Sequence, residues 1–255
     1  MQRIAIAGAT GVVGRLTVEA VRAAGDEPIS LSRASGIDLT RPDGLAARLE
    51  GCHAVIDVTS IATLETEAAI AFFSAVTSNL LAAERDAGVA HHVALSIVGA
   101  AKSESGYYAG KAAQERLIMA AGERWTMLRA TQFHEFAAQT LARGRTAGVY
   151  IAPKMRCRPV AAIEVAGELA RLAAGAPQGL VPDLGGPSVE RMADLMRRLL
   201  RARRERGLVL EVRLPGSMGR ILADGSLIPG VSATLGRMTF DEWLASHIRD
   251  GDAPA

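Results

Sequence analysis

Lysine is nearly missing from this sequence: Lys102, Lys111 and Lys154 are the only three, and arginine carries almost all the basic charge. Cysteine is just as scarce. Cys52 and Cys157 make neither a metal-ligand spacing nor a disulfide framework, so they are expected to be reduced thiols in a cytoplasm. Excess charge is absent too, and a net +2 over 255 residues gives no reason to expect a nucleic acid or an anionic membrane as partner. No long apolar run stands out. The most apolar helical stretch, 68–83, is broken by Ser74, Thr77, Ser78 and Asn79, is short for a bilayer, and reads as a buried helix. The apolar run at the start leads straight into glycines and is not expected to be a signal sequence. Repeats, low-complexity segments and long linkers are lacking.

Several site patterns are missing as well. His91 and His92 are adjacent and would face opposite sides of a strand. His134-Glu135 lacks the second histidine of a zinc helix, because position 138 is Ala138. Ser96 has no glycine two residues before it, which excludes a hydrolase elbow. No metal is expected.

What is present begins at Arg3. The run Arg3-Ile4-Ala5-Ile6-Ala7 is followed by Gly8-Ala9-Thr10-Gly11-Val12-Val13-Gly14 and an apolar-periodic helix to about Ala24. Strand, glycine turn and helix in that order form the context of a dinucleotide fingerprint. Gly8 permits the tight turn, Gly11 lets backbone approach a pyrophosphate, and Gly14 lets helix and strand pack closely. The helix start offers unpaired amides and a partial positive charge to phosphate.

Strands are expected at 27–32, 54–59, 92–97 and 125–129, with a short third strand or its remnant at 37–39. Helices are expected at 43–50, 64–87 and 107–121. This alternation predicts an α/β, Rossmann-like, doubly wound parallel sheet. Past Thr131 the pattern loosens into helices at 133–143, 163–174 and 188–206 (Ser188 as N-cap), with extended pieces at 149–152 and 179–183. The arginines of the last helix read as a solvated face. The segment 240–244 is expected to dock the tail. The expected division is a Rossmann core at 1–132 plus 158–187 and a small C-terminal substrate-covering lobe at 133–157 and 188–255.

The tip of the second strand is Ser32-Arg33, a hydroxyl and a guanidinium, where an NAD enzyme would carry a carboxylate. The pair suits a 2′-phosphate, so NADP(H) is expected over NAD(H), which stays possible. Tyr107 and Lys111, four apart near a helix start, share a face. An ammonium beside a phenol lowers its pKa toward the range of a general acid or base. With three tyrosines and three lysines, that spacing would arise by chance in roughly a few per cent of shuffled chains. Ser96, at the carboxyl end of its strand, is placed to orient a substrate carbonyl.

With these motifs the chain resembles the short-chain dehydrogenase/reductase superfamily, and within it the atypical, NmrA-like NAD(P)H-binding branch. Leu95-Ser96-Ile97-Val98-Gly99, Leu128-Arg129-Ala130-Thr131-Gln132-Phe133, Arg158-Pro159-Val160 and Thr239 to Leu244 follow in the expected order. The resemblance implies that Gly8, Thr10, Gly11, Val12 and Val13 line the pyrophosphate, and Ser32 and Arg33 the 2′-phosphate. It implies Asp38 and Leu39 beside the adenine, Thr59 and Ser60 by the ribose, and Lys111 on the nicotinamide ribose. Ala130, Thr131 and Phe133 would flank the nicotinamide. The asparagine that many members carry in the helix after the fourth strand has no match; Asn79 is off-register. The expected activity is reduction of a carbonyl or activated alkene of a small molecule, with Tyr107, Lys111 and Ser96 catalytic. A non-catalytic NADP(H)-sensing regulator and an extended-type epimerase are the alternatives.

Overall fold

The structure, a computed structural model, describes residues 1–146 and 148–249; Ala147 and the end of the expected lobe, 250–255, lie outside the described residues. Strands β1 (Arg3–Ala7), β2 (Glu27–Leu31), β3 (Ala54–Asp57), β4 (His91–Ile97) and β5 (Trp125–Ala130) alternate with helices α1 (Val12–Ala23), α2 (Leu45–Leu49), α3 (Thr66–Ala87) and α4 (Gly106–Ala120). Next come α5 (Glu135–Arg143), β6 (Arg145–Thr146), β7 (Val149–Pro153), β8 (Arg156–Cys157), α6 (Ala162–Ala173), β9 (Gly179–Leu180), β10 (Leu184–Gly185) and β11 (Glu190–Arg191). The last are α7 (Met192–Ala202), β12 (Leu208–Val212), α8 (Gly216–Asp224), β13 (Thr234–Leu235) and α9 (Phe240–Arg249). Two compact units divide the chain: 1–129 with 165–181, and 130–164 with 182–255.

In the first unit the strand order is β2-β1-β3-β4-β5, with β9 on β5. The pairings β1–β2, β1–β3, β3–β4 and β5–β9 are parallel. This is a Rossmann-like α/β sheet flanked by helices. Its register aligns the carboxyl ends: Ala7 lies opposite Leu31 and Asp57, and Asp57 opposite Ala94. Loops carrying Gly8, Ser32 and Thr59 therefore leave the sheet at one edge, where open α/β sheets bind ligands, and Ser96 lies near the same end of β4. Residues 54–56 are wholly buried, as an apolar parallel strand requires.

The remnant strand at 37–39 does not form, and β1 pairs directly with β3. Ile37 and Leu39 instead turn their side chains into the core with Leu45, Leu49 and Leu80. The Asn79 amide donates to the Leu39 carbonyl at 3.1 Å, so the residue that looked off-register anchors this loop.

Helix α3 is longer than the stretch 68–83. At 22 residues and a mean hydropathy of 1.3 it is long and apolar enough to cross a membrane by length and composition. Its face of Ala69, Phe73, Val76, Leu80 and Ala83 is nevertheless buried in the protein and ends in Glu84, whose carboxylate meets His92 at 2.7 Å.

In the second unit β7 pairs in parallel with β12 and antiparallel with β6, and Leu184 pairs with Ala130. The helix expected from Ser188 starts at Met192, because Glu190 and Arg191 are drawn into antiparallel pairing with Cys157 and Arg156. It ends at Ala202, and Arg204 takes a left-handed φ of 57° just beyond. Its arginines are partly neutralised: Arg197 pairs with Asp194, and Arg198 with Glu190 and Asp241. The 240–244 segment is the start of α9, with Thr239 and Glu242 bonded to each other as a capping box.

One stability prediction arises in the first unit. His91 is 1% exposed, with Nδ1 at 3.0 Å from the Gly175 carbonyl and Nε2 at 2.8 Å from the Thr126 hydroxyl. Burial pushes its pKa down to about 4. The unfolded chain then binds the extra proton between about pH 6.5 and pH 4, so stability falls as pH drops through that window, by about 3 kcal/mol at most. Urea unfolding at pH 7 and pH 4.5 should show that slope, and His91→Gln should flatten it relative to the parent.

Candidate active site

Gly8 and Gly14 set the turn after β1. Gly8 has φ +85°, and a Cβ there would lie 3.0 Å from the Val58 carbonyl and 3.1 Å from Thr59 Cα. A Cβ on Gly14 would strike the Gly8 carbonyl oxygen. Only glycine lets the turn fold this tightly against both α1 and the loop after β3. The turn is closed by the Gly8 amide on Leu31 O and the Gly11 amide on Gly8 O. Helix α1 starts at Val12 with no side-chain cap and no acidic residue in its first turn. Its first-turn amides have no intrahelical acceptor, so the dipole's positive end is left for an anion. Thr10 and Gly11 are exposed, Val12 is half-buried and Val13 is buried. This donor set fits a diphosphate.

At the tip of β2, Ser32 is buried in a capping box. Its hydroxyl accepts from the Ser35 amide, and its own amide donates to Ser35 Oγ. Arg33 is exposed, and the Arg48 guanidinium donates to the Ser35 carbonyl at 3.1 Å in the same turn. Asp38 accepts from the Thr40 hydroxyl and amide, and those bonds hold its carboxyl below the usual range. Leu39 is buried.

The loop after β3 reaches the phenol. The Ser60 hydroxyl donates to the Tyr107 oxygen at 3.3 Å, and Tyr107 packs edge-on to Phe73 with ring centres 5.4 Å apart. Helix α4 lies close against α3 because residue 110 is glycine. A Cβ there would fall 2.6 Å from the Phe73 ring and 2.9 Å from the Ala69 carbonyl. Lys111 is 2% exposed. Its ammonium donates to the Leu95 carbonyl at 2.8 Å and to Gln114 Oε1 at 2.7 Å, and sits 4.5 Å from the centre of the Phe73 ring.

This geometry corrects the expected electrostatics. The ammonium faces Leu95 and Gln114, and the phenol pKa is raised, not lowered. Burial is the largest cause, opposed by the Ser60 bond and reinforced by Asp57. Burial also brings Lys111 down to about 8, against the fields of Asp57 and Glu115.

Ser96 departs further from its expected role. It is 1% exposed, and its hydroxyl donates to Glu115 Oε1 at 2.6 Å. Glu115 also receives a two-pronged bond from Arg129, Nε at 2.8 Å and Nη2 at 2.6 Å. The alternation of β4 turns the Ser96 side chain into this buried cluster. Thr59 is likewise committed, donating its amide (2.9 Å) and hydroxyl (2.6 Å) to Asp57 Oδ1. Sequence reasoning passed over Asp57, Gln114, Glu115 and Arg129. Asp57 was the visible signal, a carboxylate closing an otherwise apolar strand.

The expected nicotinamide neighbours Ala130, Thr131 and Phe133 belong to the second unit. Thr131 donates its hydroxyl to the Arg158 carbonyl at 2.6 Å, and Phe133 bridges to Val160. Among the described residues, no group of three or more His, Cys, Asp or Glu is arranged to hold a metal.

Solved structures of the same architecture are numerous. An NADPH-dependent quinone oxidoreductase (QOR2) from Escherichia coli is 18% identical and aligns over 95% of this chain and 98% of its own, with a TM-score of 0.68. A UDP-N-acetylglucosamine 4-epimerase from Bacillus cereus is 17% identical over 99% and 98%, with a TM-score of 0.72. A dTDP-4-dehydrorhamnose reductase from Clostridium acetobutylicum is 14% identical over 96% and 98%, with a TM-score of 0.74. At these identities the likeness is one of fold. No curated protein matches the chain significantly. The family described as NAD(P)H-binding matches residues 8–162, which takes in the glycine turn, Tyr107 and Lys111. The chain belongs to that NAD(P)H-binding family and has a Rossmann-like α/β fold.

Proposed function

We propose that this protein is an NADPH-dependent oxidoreductase that reduces a carbonyl or an activated alkene of a small organic molecule. One observation carries the reading. The segment 57–60 touches the glycine turn through the backbone of Val58 and Thr59, and touches the Tyr107 phenol through the Ser60 hydroxyl. A phosphate cradle and an acid thus share one edge of one sheet.

Gly8, Thr10, Gly11, Val12 and Val13 would hold the diphosphate and Arg33 the 2′-phosphate; the bound dinucleotide supplies hydride. The raised pKa keeps the Tyr107 phenol protonated through neutral pH, so it is the proton donor to the substrate oxygen or α-carbon. Ser60 steadies the phenolate left behind. Lys111 adds a buried positive charge on the same helix, held by Leu95 and Gln114. With Ser96 sealed against Glu115, Ser60 is the hydroxyl beside the acid. Substrate choice is assigned to the C-terminal lobe residues, 133–157 and 188–255. The NADPH named for the E. coli oxidoreductase supports the cofactor choice.

Calorimetric titration with NADPH and NADH, followed by turnover on a panel of quinones, aldehydes and enones, tests this reading. Binding without turnover on any acceptor would favour a cofactor sensor. Arg33→Ala should weaken NADPH binding about tenfold or more while leaving NADH nearly unchanged, since only a 2′-phosphate engages the guanidinium. The sugar-nucleotide epimerase relative supports a second reading, in which retained cofactor is reduced and reoxidised within one cycle. Purified protein carrying cofactor at full occupancy, with no net consumption, would distinguish it.

A further inference from the structure

The buried polar chain behind Tyr107 does more than fill the core. Among the described residues, the Lys111 ammonium is bonded to no carboxylate: its two acceptors are the Leu95 carbonyl and the Gln114 amide oxygen. The other end of that amide donates Nε2–H to Asp57 Oδ2 at 2.7 Å. Asp57 and Gln114 are both 0% exposed. Asp57 Oδ1 in turn holds Thr59, whose neighbour Ser60 meets the phenol. The chain Lys111–Gln114–Asp57–Thr59 therefore starts one helical turn from Tyr107 and comes back to it along the next loop.

The orientation of the amide is forced. Its oxygen must face the ammonium and its NH₂ the carboxylate, because an ammonium has only donors and a carboxylate only acceptors. An amide aligned this way passes the attraction of a buried carboxylate on to a buried cation without an ion pair. It also fixes the lysine rotamer, which leaves the phenol free to face Ser60.

We propose that Gln114 is a positioning residue, coupling the Asp57 carboxylate to Lys111 so that the lysine stays charged and correctly placed behind the catalytic tyrosine. This rests on the assignment of Tyr107 and Lys111 above. Other charged groups around the lysine are accounted for. Glu115 on α4 also acts on it but is paired with Arg129 of β5. Glu84 of α3 and His92 of β4 form their own pair, and both feel Asp57. Tyr107 shares α4.

Scarcity of lysine makes the test direct. In full-length protein labelled with ¹³C-lysine, three Cε resonances report Lys102, Lys111 and Lys154, and Lys111→Met identifies the buried one. Gln114→Met keeps the bulk and removes both hydrogen bonds; Asp57→Asn keeps the shape and removes the charge. Both variants should move the Lys111 titration down by about one pH unit or more. Both should bring the alkaline limb of the kcat profile down with it, with KM for NADPH changed less than about threefold. If Lys111 titrates unmoved in folded Gln114→Met and Asp57→Asn, the proposal is overturned. A loss of activity with the limb in place also overturns it, since damage to packing alone would give that result. Should Gln114→Met fail to fold, Asp57→Asn decides by the same resonance. The resonance reads the coupling even in a protein that turns over nothing, so failure here is separable from failure of the proposed reductase activity.

Discussion

Tyr107→Phe is expected to lower kcat by about 10²- to 10⁴-fold while leaving the Kd for NADPH within about threefold. The ring packs on Phe73 and stays in place, and the fold loses only one 3.3 Å hydrogen bond to an exposed serine. Stability should therefore barely change, and the loss in rate can be read as loss of the proton donor. Because burial raises the phenol pKa, the parent rate should hold level through neutral pH. It should fall on the alkaline side as Lys111, at about 8, loses its proton. Stopped-flow single turnovers with the best acceptor of the panel measure the step without interference from product release. A variant that keeps more than about a tenth of the parent rate would remove Tyr107 from the chemistry.

Arg129→Leu is expected to cost about 2–4 kcal/mol of stability, less than breaking a fully buried ion pair because the Arg129 side chain is half-buried. Glu115, with its side chain 5% exposed, would lose its cation and keep Ser96 as its donor among the described residues. A drop in Tm of roughly 10 °C follows for a chain of this size. Glu115→Gln combined with Arg129→Leu should recover most of the loss, because the stranded charge is gone. The recovery separates electrostatics from packing. Differential scanning calorimetry of the two single variants and the double variant completes the cycle.

The first half of the fold was legible because its signals are local. Each strand is a short apolar run, each long helix ends at glycine, and Gly88 adopts the left-handed C-cap its position suggested. Ile37 to Leu39 misled because the same alternation serves a strand and a loop with two buried side chains. The second half resisted reading because its pairings are two-residue strands between distant segments, such as Cys157 with Glu190, which displace a helix start by four residues.

At the site, the positions of the glycine turn and of Tyr107 were accessible from spacing alone. The partners of Lys111 and Ser96 were not. Spacing puts Tyr107 and Lys111 on one face, but it does not say that Gln114 and Leu95 capture the ammonium or that Glu115 captures the serine. Those outcomes depend on which buried donors have nowhere else to go, a competition settled only in three dimensions.

The missing side chain at residue 110 has a consequence for how such a protein diversifies. With α4 lying against the Phe73 ring and the Ala69 carbonyl, a side chain at residue 110 would push the helix bearing the phenol off α3. On the proposed reading, adaptation to different acceptors comes from elsewhere in the chain, while Tyr107 stays where it is. Under that reading, related chains would exchange substrates and still inherit the same phenol.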